Sequence, residues 1–190
     1  LRFPILDTSY APDIADNSCE SELAMLFTTS GTTKLPKLVM HTQRSLVSHA
    51  DCVARAFRFD QPEAGLLAPL PFCGTFGLVP VITALAAGMP VAVMHAFDAE
   101  PAVELIRKHQ LTHLFGSDEM YWSILDAMPE GSRLESLRVC GFAAFQTGVE
   151  DLVRKAEVRS IPLAGVYGSS EVQALFSIQS VREGEEHRYK

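Results

Sequence analysis

Thr28-Thr29-Ser30-Gly31-Thr32-Thr33-Lys34-Leu35-Pro36-Lys37 closes the first apolar run of the chain. Every position from Thr28 to Thr33 except Gly31 is a hydroxyl side chain, and Lys34 and Lys37 follow. Hydroxyls and free backbone N–H groups in a turn can wrap phosphate oxygens, and a lysine sets a point charge against them. That chemistry suits a nucleotide triphosphate. A solvent-exposed hairpin of ordinary loop residues is the plain alternative. A Walker A loop is excluded, because Lys37 follows Gly31 at the wrong spacing and Pro36 stands where that pattern needs its second glycine.

Outward from this loop, short β-rich apolar runs alternate with helical spacing. The runs cover residues 23–28, 66–70, 91–95, 112–116, 137–141 and 163–167. Between them, Leu46, Ala50, Val53 and Phe57 share one helical face, and Tyr121, Ile124, Leu125 and Met128 share another. Val149, Leu152, Val153 and Ala156 repeat in the same way, and Pro101 sits after Asp98 and Glu100, where a first helical turn tolerates it. This alternation predicts an α/β fold, a mostly parallel sheet with helices on both faces. Such sheets place ligands at the carboxyl ends of their strands.

One of those ends carries Val166-Tyr167-Gly168-Ser169-Ser170-Glu171. An aromatic face offers a base a stacking surface, and a carboxylate is a usual Mg²⁺ ligand beside phosphates. The plain alternatives are a core aromatic for Tyr167 and a helix-start carboxylate for Glu171. A nucleophile elbow cannot be drawn through Ser169 or Ser170.

The order of these motifs resembles the adenylate-forming superfamily, the AMP-dependent acyl-CoA synthetases and ligases. The loop from Thr29 to Lys37 resembles its phosphate-loop pattern T-S-G-T-T-G-x-P-K-G, and Tyr167 to Glu171 resembles its Y-G-x-T-E, with Ser170 in place of Thr. Leu70-Pro71-Phe72-Cys73-Gly74-Thr75-Phe76-Gly77-Leu78 resembles its P-x-F-H-x-x-G-L segment, and residues 139–145 fall where it carries S-G-G-A-P. The departures are Lys34 and Leu38, each at a glycine position of the family pattern, and Cys73 and Gly74, which replace an aromatic and a histidine. The last two changes predict a roomier pocket or a different gate.

The resemblance runs from about residue 23 to 178. It implies that residues 1–190 are the central part of the N-terminal adenylation domain; residues 180–190, polar and charged, read as a frayed or truncated end. The implied activity forms an acyl-AMP from ATP and a fatty or aromatic carboxylic acid, then passes the acyl group to CoA. Thr29, Ser30, Gly31, Thr32, Thr33 and Lys37 are implied at the triphosphate, Gly141, Tyr167 and Gly168 at the adenine, and Ser170 at the α-phosphate. Glu171 is implied as the Mg²⁺ ligand, and Thr32 and Glu171 as the catalytic pair. The family's ribose-binding Asp and its C-terminal domain with a catalytic Lys are not in these residues, so the chain alone is expected to be inactive. The competing readings are a non-catalytic nucleotide-binding fragment and an adenylation domain that loads a carrier protein.

Composition limits the rest. Of 190 residues, 47% are hydrophobic and 21% charged, with a net charge of −7, which argues for a packed core and against nucleic acid as partner. The four cysteines are scattered, and the six histidines show no ligand spacing, so reduced thiols, a cytoplasmic setting and structural or surface histidines are expected. Residues 64–97 carry no Asp, Glu, Lys or Arg before Asp98, but Pro69, Pro71, Pro80 and Pro90 break the stretch. It therefore reads as strand, loop, helix and strand rather than a membrane span.

Overall fold

The computed structural model describes residues 19–29, 37–145 and 149–179. The phosphate-loop residues Ser30, Gly31, Thr32 and Thr33, together with Lys34 and the 180–190 end, lie outside the described residues.

Six strands form the main sheet: β3 (Leu66–Ala68), β4 (Val91–Val93), β5 (His113–Ser117), β6 (Val139–Ala143), β7 (Leu163–Ser169) and β8 (Gln173–Ile178), in the order β4-β3-β5-β6-β7-β8. The first four neighbour pairs are parallel, and only β7–β8 is antiparallel. The predicted mostly parallel sheet is therefore present. Its central strands β3, β5 and β6 are buried on both faces, which is why they read as continuous apolar runs.

Successive side chains of each strand point to opposite faces. Leu66, Ala68 and Phe115 pack with Val53 and Ala54 of α1 (Gln43–Ala56) and with Val79, Val81 and Ala84 of α2 (Thr75–Ala86). Leu67, Leu114, Cys140 and Leu163 face the other way, onto Ile106 of α3 (Ala99–His109), Ile124 of α4 (Asp118–Ala127) and Leu152 of α5 (Val149–Val158). Helices thus cover both faces, and the residues that show helical spacing in sequence supply their buried stripes. Residues 64–97 resolve into β3, a loop, α2 and β4. No helix among the described residues is long and apolar enough to cross a membrane.

The structure departs from the sequence reading at three places. The first apolar run, β1 (Leu23–Thr29), does not join the parallel sheet; it pairs antiparallel with β2 (Lys37–Thr42) as a separate two-stranded sheet. Neither β2 nor β8 is among the six apolar runs read from the sequence. Glu171 starts no helix: it lies in the turn between β7 and β8.

Two buried devices fix the sheet. The His113 Nε2–H donates to the Phe57 carbonyl at 2.8 Å, and its Nδ1 accepts from the Thr112 hydroxyl at 2.7 Å. The same hydroxyl oxygen accepts from the Gly65 N–H at 3.0 Å, which ties β3 to β5. Burial holds the His113 imidazole at a pKa of about 4. On the opposite face, the Tyr121 hydroxyl reaches the carbonyls of Leu114 at 2.7 Å and Gly141 at 3.2 Å, joining α4 to β5 and β6.

Candidate active site at the carboxyl end of the sheet

The β1–β2 hairpin presents the two ends of the phosphate loop side by side, since Thr29 and Lys37 are register partners. Thr42 caps α1, its hydroxyl accepting from the Ser45 N–H at 3.2 Å, so the chain leaving the loop passes directly from strand to helix.

Tyr167 lies near the end of β7 with its residue surface 63% exposed. It is not a core aromatic: its ring faces solvent. Gly168 follows, and a Cβ there would come within 2.7 Å of both the Ala174 Cα and the Gln173 carbonyl oxygen. Only glycine lets β8 pass this close to β7. The turn beyond it, residues 170–172, presents the Glu171 carboxylate to solvent. That carboxyl is held below its ordinary pKa, first by a hydrogen bond from the Ser169 side chain, then by its own backbone N–H, and also by the Lys37 charge. Lys37 and Glu171, 134 positions apart in sequence, therefore lie close enough for the lysine charge to be felt at the carboxylate.

The donor set suits Mg²⁺, because a single ionised carboxylate leaves the remaining positions to phosphate oxygens and water. No cluster of three or more His, Cys, Asp or Glu side chains forms a metal cage among the described residues.

Gly141 is buried, and a Cβ on it would meet the Phe115 ring at 2.6 Å and Val166 at 2.8 Å. Beyond β6, the Phe145 N–H donates to the buried Asp118 carboxylate at 3.0 Å, and the Phe145 side chain stands in solvent. In the third motif, Cys73 and Gly74 are exposed, and a Cβ on Gly74 would touch nothing. Gly77 is the opposite case, since a Cβ there would fall 2.1 Å from the Pro71 carbonyl oxygen. The adjoining cavity, lined by residues 66–70, Phe76, Gly77, Pro80 and Phe115, measures about 10 Å³. A depression of about 1450 Å³ opens at the amino ends of β3 to β6, around Gly65, Pro90, Thr112 and Arg138. It holds none of the motif residues and lies at the wrong end of a parallel sheet for a ligand site, so chemistry rather than volume locates the site.

Sequence reasoning missed the residues that hold the Glu171 turn. The His41 Nε2–H donates to the Ser170 carbonyl at 2.7 Å, the His49 Nε2–H to the Ala174 carbonyl at 2.7 Å, and the Gln173 side-chain amide to the Ser45 carbonyl at 3.1 Å. The one signal in sequence was the four-residue spacing of Lys37, His41, Ser45 and His49.

A family model described as AMP-binding enzyme matches residues 6–190, and the chain belongs to that family. Among curated relatives, the 4-chlorobenzoate–CoA ligase of Pseudomonas sp. (strain CBS-3) is 30% identical, aligned over 94% of this chain and 35% of its own length. The long-chain-fatty-acid–CoA ligase of Bacillus subtilis is also 30% identical, over 80% of this chain and 28% of its own. Among solved structures, O-succinylbenzoate coenzyme A synthetase (MenE) of Bacillus subtilis, in complex with ATP and magnesium ion, superimposes with a TM-score of 0.80. That match has 22% identity and covers 89% of this chain and 35% of that one. The likeness establishes the adenylation-domain fold. The chain spans about a third of the length of the relatives it matches.

Proposed function

We propose that this chain is the nucleotide-handling part of an acid–thiol ligase. In the whole protein, a carboxylate oxygen of an aromatic or fatty acid attacks the α-phosphorus of ATP, and the bond to pyrophosphate breaks. The sulfur of CoA then attacks the acyl carbon of the adenylate, and AMP leaves. The names of the relatives, which span chlorobenzoate and long-chain fatty acids, support both acid classes.

The reading is carried by one observation: the 2.7 Å hydrogen bond from His41 to the Ser170 carbonyl brings β2, which begins at Lys37, against the turn that carries Glu171, beside the exposed ring of Tyr167. In this scheme Thr29, Ser30, Gly31, Thr32, Thr33 and Lys37 surround the triphosphate. Tyr167, with Gly168 and Gly141 behind it, receives the adenine, and Ser170 faces the α-phosphate. Glu171 holds Mg²⁺, whose charge offsets that of the phosphates as pyrophosphate leaves. Catalysis in this step is neutralisation and positioning, which these residues supply without a covalent intermediate on the protein. A cytoplasmic setting agrees with the free thiols of Cys19, Cys52, Cys73 and Cys140.

Calorimetric titration of the 190-residue chain with Mg·ATP tests the scheme. The wild type binds, Thr32→Ala/Thr33→Ala abolishes binding, and Glu171→Gln removes its Mg²⁺ dependence. A Glu171→Gln protein that keeps the wild-type Mg²⁺ dependence refutes the metal role. ATP–pyrophosphate exchange by the chain alone is expected to be undetectable, and measurable exchange refutes that expectation.

A further inference from the structure

We infer that His41 is the positioning residue that sets the Glu171 carboxylate, with His49 and Gln173 as companion struts. The inference deepens the proposed function and rests on its reading of Glu171 as the Mg²⁺ ligand. Register partners Ser169 and Gln173 close the hairpin, leaving Ser170, Glu171 and Val172 as a turn without glycine. Gln173 has φ 65° and Leu175 has φ 61°, left-handed conformations that cost a non-glycine residue free energy. A segment strained at two places keeps its shape only if its surroundings impose it.

The surroundings here are specific. A carbonyl oxygen only accepts, so in the His41 and His49 rings Nε2 is the donor. The Ser170 carbonyl shares a rigid peptide plane with the Glu171 nitrogen. Fixing that oxygen therefore fixes the plane from which the Glu171 side chain departs. His41 is itself immobilised: it is buried, and it meets the Phe27 ring edge-on at 5.8 Å between centroids. Ser45 and His49 hold the strained residues Gln173 and the neighbouring Ala174 from the first half of α1. All three anchors come from the β2–α1 segment, so the turn that carries Glu171 is tied to β2 and α1 as well as to its own two strands.

Hydrogen–deuterium exchange on the 190-residue chain, with Mg·ATP titration beside it, tests this. His41→Phe keeps a ring against Phe27 and lacks the donor. It is expected to speed exchange of the amides of residues 169–175 about tenfold, with β3, β5 and β6 unchanged, and to raise the Mg²⁺ half-saturation for ATP binding about fivefold. His41→Gln, whose amide can reach the same carbonyl, restores both. A residue that only supports the fold would lower the melting temperature and leave the Mg²⁺ dependence of the folded protein where it was. Turn exchange within twofold of wild type in both His41→Phe and His41→Leu overturns the strut. ATP binding that ignores Mg²⁺ in the wild type overturns the metal reading instead, and with it the role given to the strut.

Discussion

Gly168→Ala separates two reasons for a glycine in the Tyr167–Glu171 motif. One is the approach of a nucleotide, and the other is the approach of a strand. The added Cβ would lie 2.7 Å from the Ala174 Cα, 2.7 Å from the Gln173 carbonyl oxygen and 3.2 Å from the Ala174 carbonyl carbon. These are backbone atoms, and they cannot rotate away as a side chain would. Ordinary carbon contacts begin several tenths of an ångström farther out, so β8 must shift off β7. Overpacking of this kind costs about 1–3 kcal/mol. For a chain of this length, about 2–4 °C of melting temperature goes with each kcal/mol, so the variant should melt about 2–12 °C below wild type with no nucleotide present. Gly74→Ala is the internal control: it lies in the site region, meets nothing within 4 Å, and as a cap change costs about 0.5 kcal/mol. Thermal unfolding followed by circular dichroism of the apo proteins decides. If Gly168→Ala melts within a degree of Gly74→Ala, the strand-packing account fails and the glycine serves the ligand alone.

Three further outcomes follow from the geometry. His113 is neutral in the fold with a pKa of about 4, below its ordinary 6.5, so the unfolded chain binds the extra proton. The stability this contributes is complete above pH 6.5 and is lost as pH falls toward 4, about 2 kcal/mol of it by pH 5; urea titrations at pH 8 and pH 5 should show that loss, and His113→Phe should remove most of it. Gly77→Ala, with its Cβ 2.1 Å from the Pro71 carbonyl oxygen, should destabilise more than Gly168→Ala, and an equal melting temperature for the two would contradict the contact. Tyr167→Ala removes a solvent-facing ring, so its melting temperature should stay near wild type while ATP affinity drops about 5–150-fold, the range of one lost stacking contact worth about 1–3 kcal/mol; calorimetry with unchanged affinity would remove Tyr167 from the site.

The core of the fold was legible because its central strands are short, buried on both faces and separated by helices with clear periodicity. The two strands outside the six apolar runs are those whose burial inverts or interrupts the usual pattern. On β2 the outward residues are the apolar Leu38 and Met40, and the inward face carries Val39 and His41, of which the histidine is the more buried. An alternation test that seeks apolar side chains inside assigns that strand the wrong way round. On β8 the first buried residue is Gln173, and both Gln173 and Leu175 adopt left-handed φ, so neither polarity nor propensity announces a strand.

The same division runs through the site. A carboxylate, an exposed ring and a run of hydroxyls declare their chemistry locally, and a reader of the sequence can nominate Tyr167, Glu171 and the loop without knowing how they meet. The hydrogen bonds that hold the turn join residues 129, 125 and 128 positions apart, and no local pattern encodes a carbonyl acceptor. A histidine bound to a backbone carbonyl leaves no mark on its partner's sequence, because any residue supplies that oxygen. What can be read is the donor side. Lys37, His41, Ser45 and His49 recur at intervals of four across a strand–helix junction, where neither the two-residue strand period nor an apolar helical stripe calls for them. Polar residues that keep a spacing their secondary structure does not require point to a second element running alongside. Here that element is the β7–β8 turn that carries Glu171.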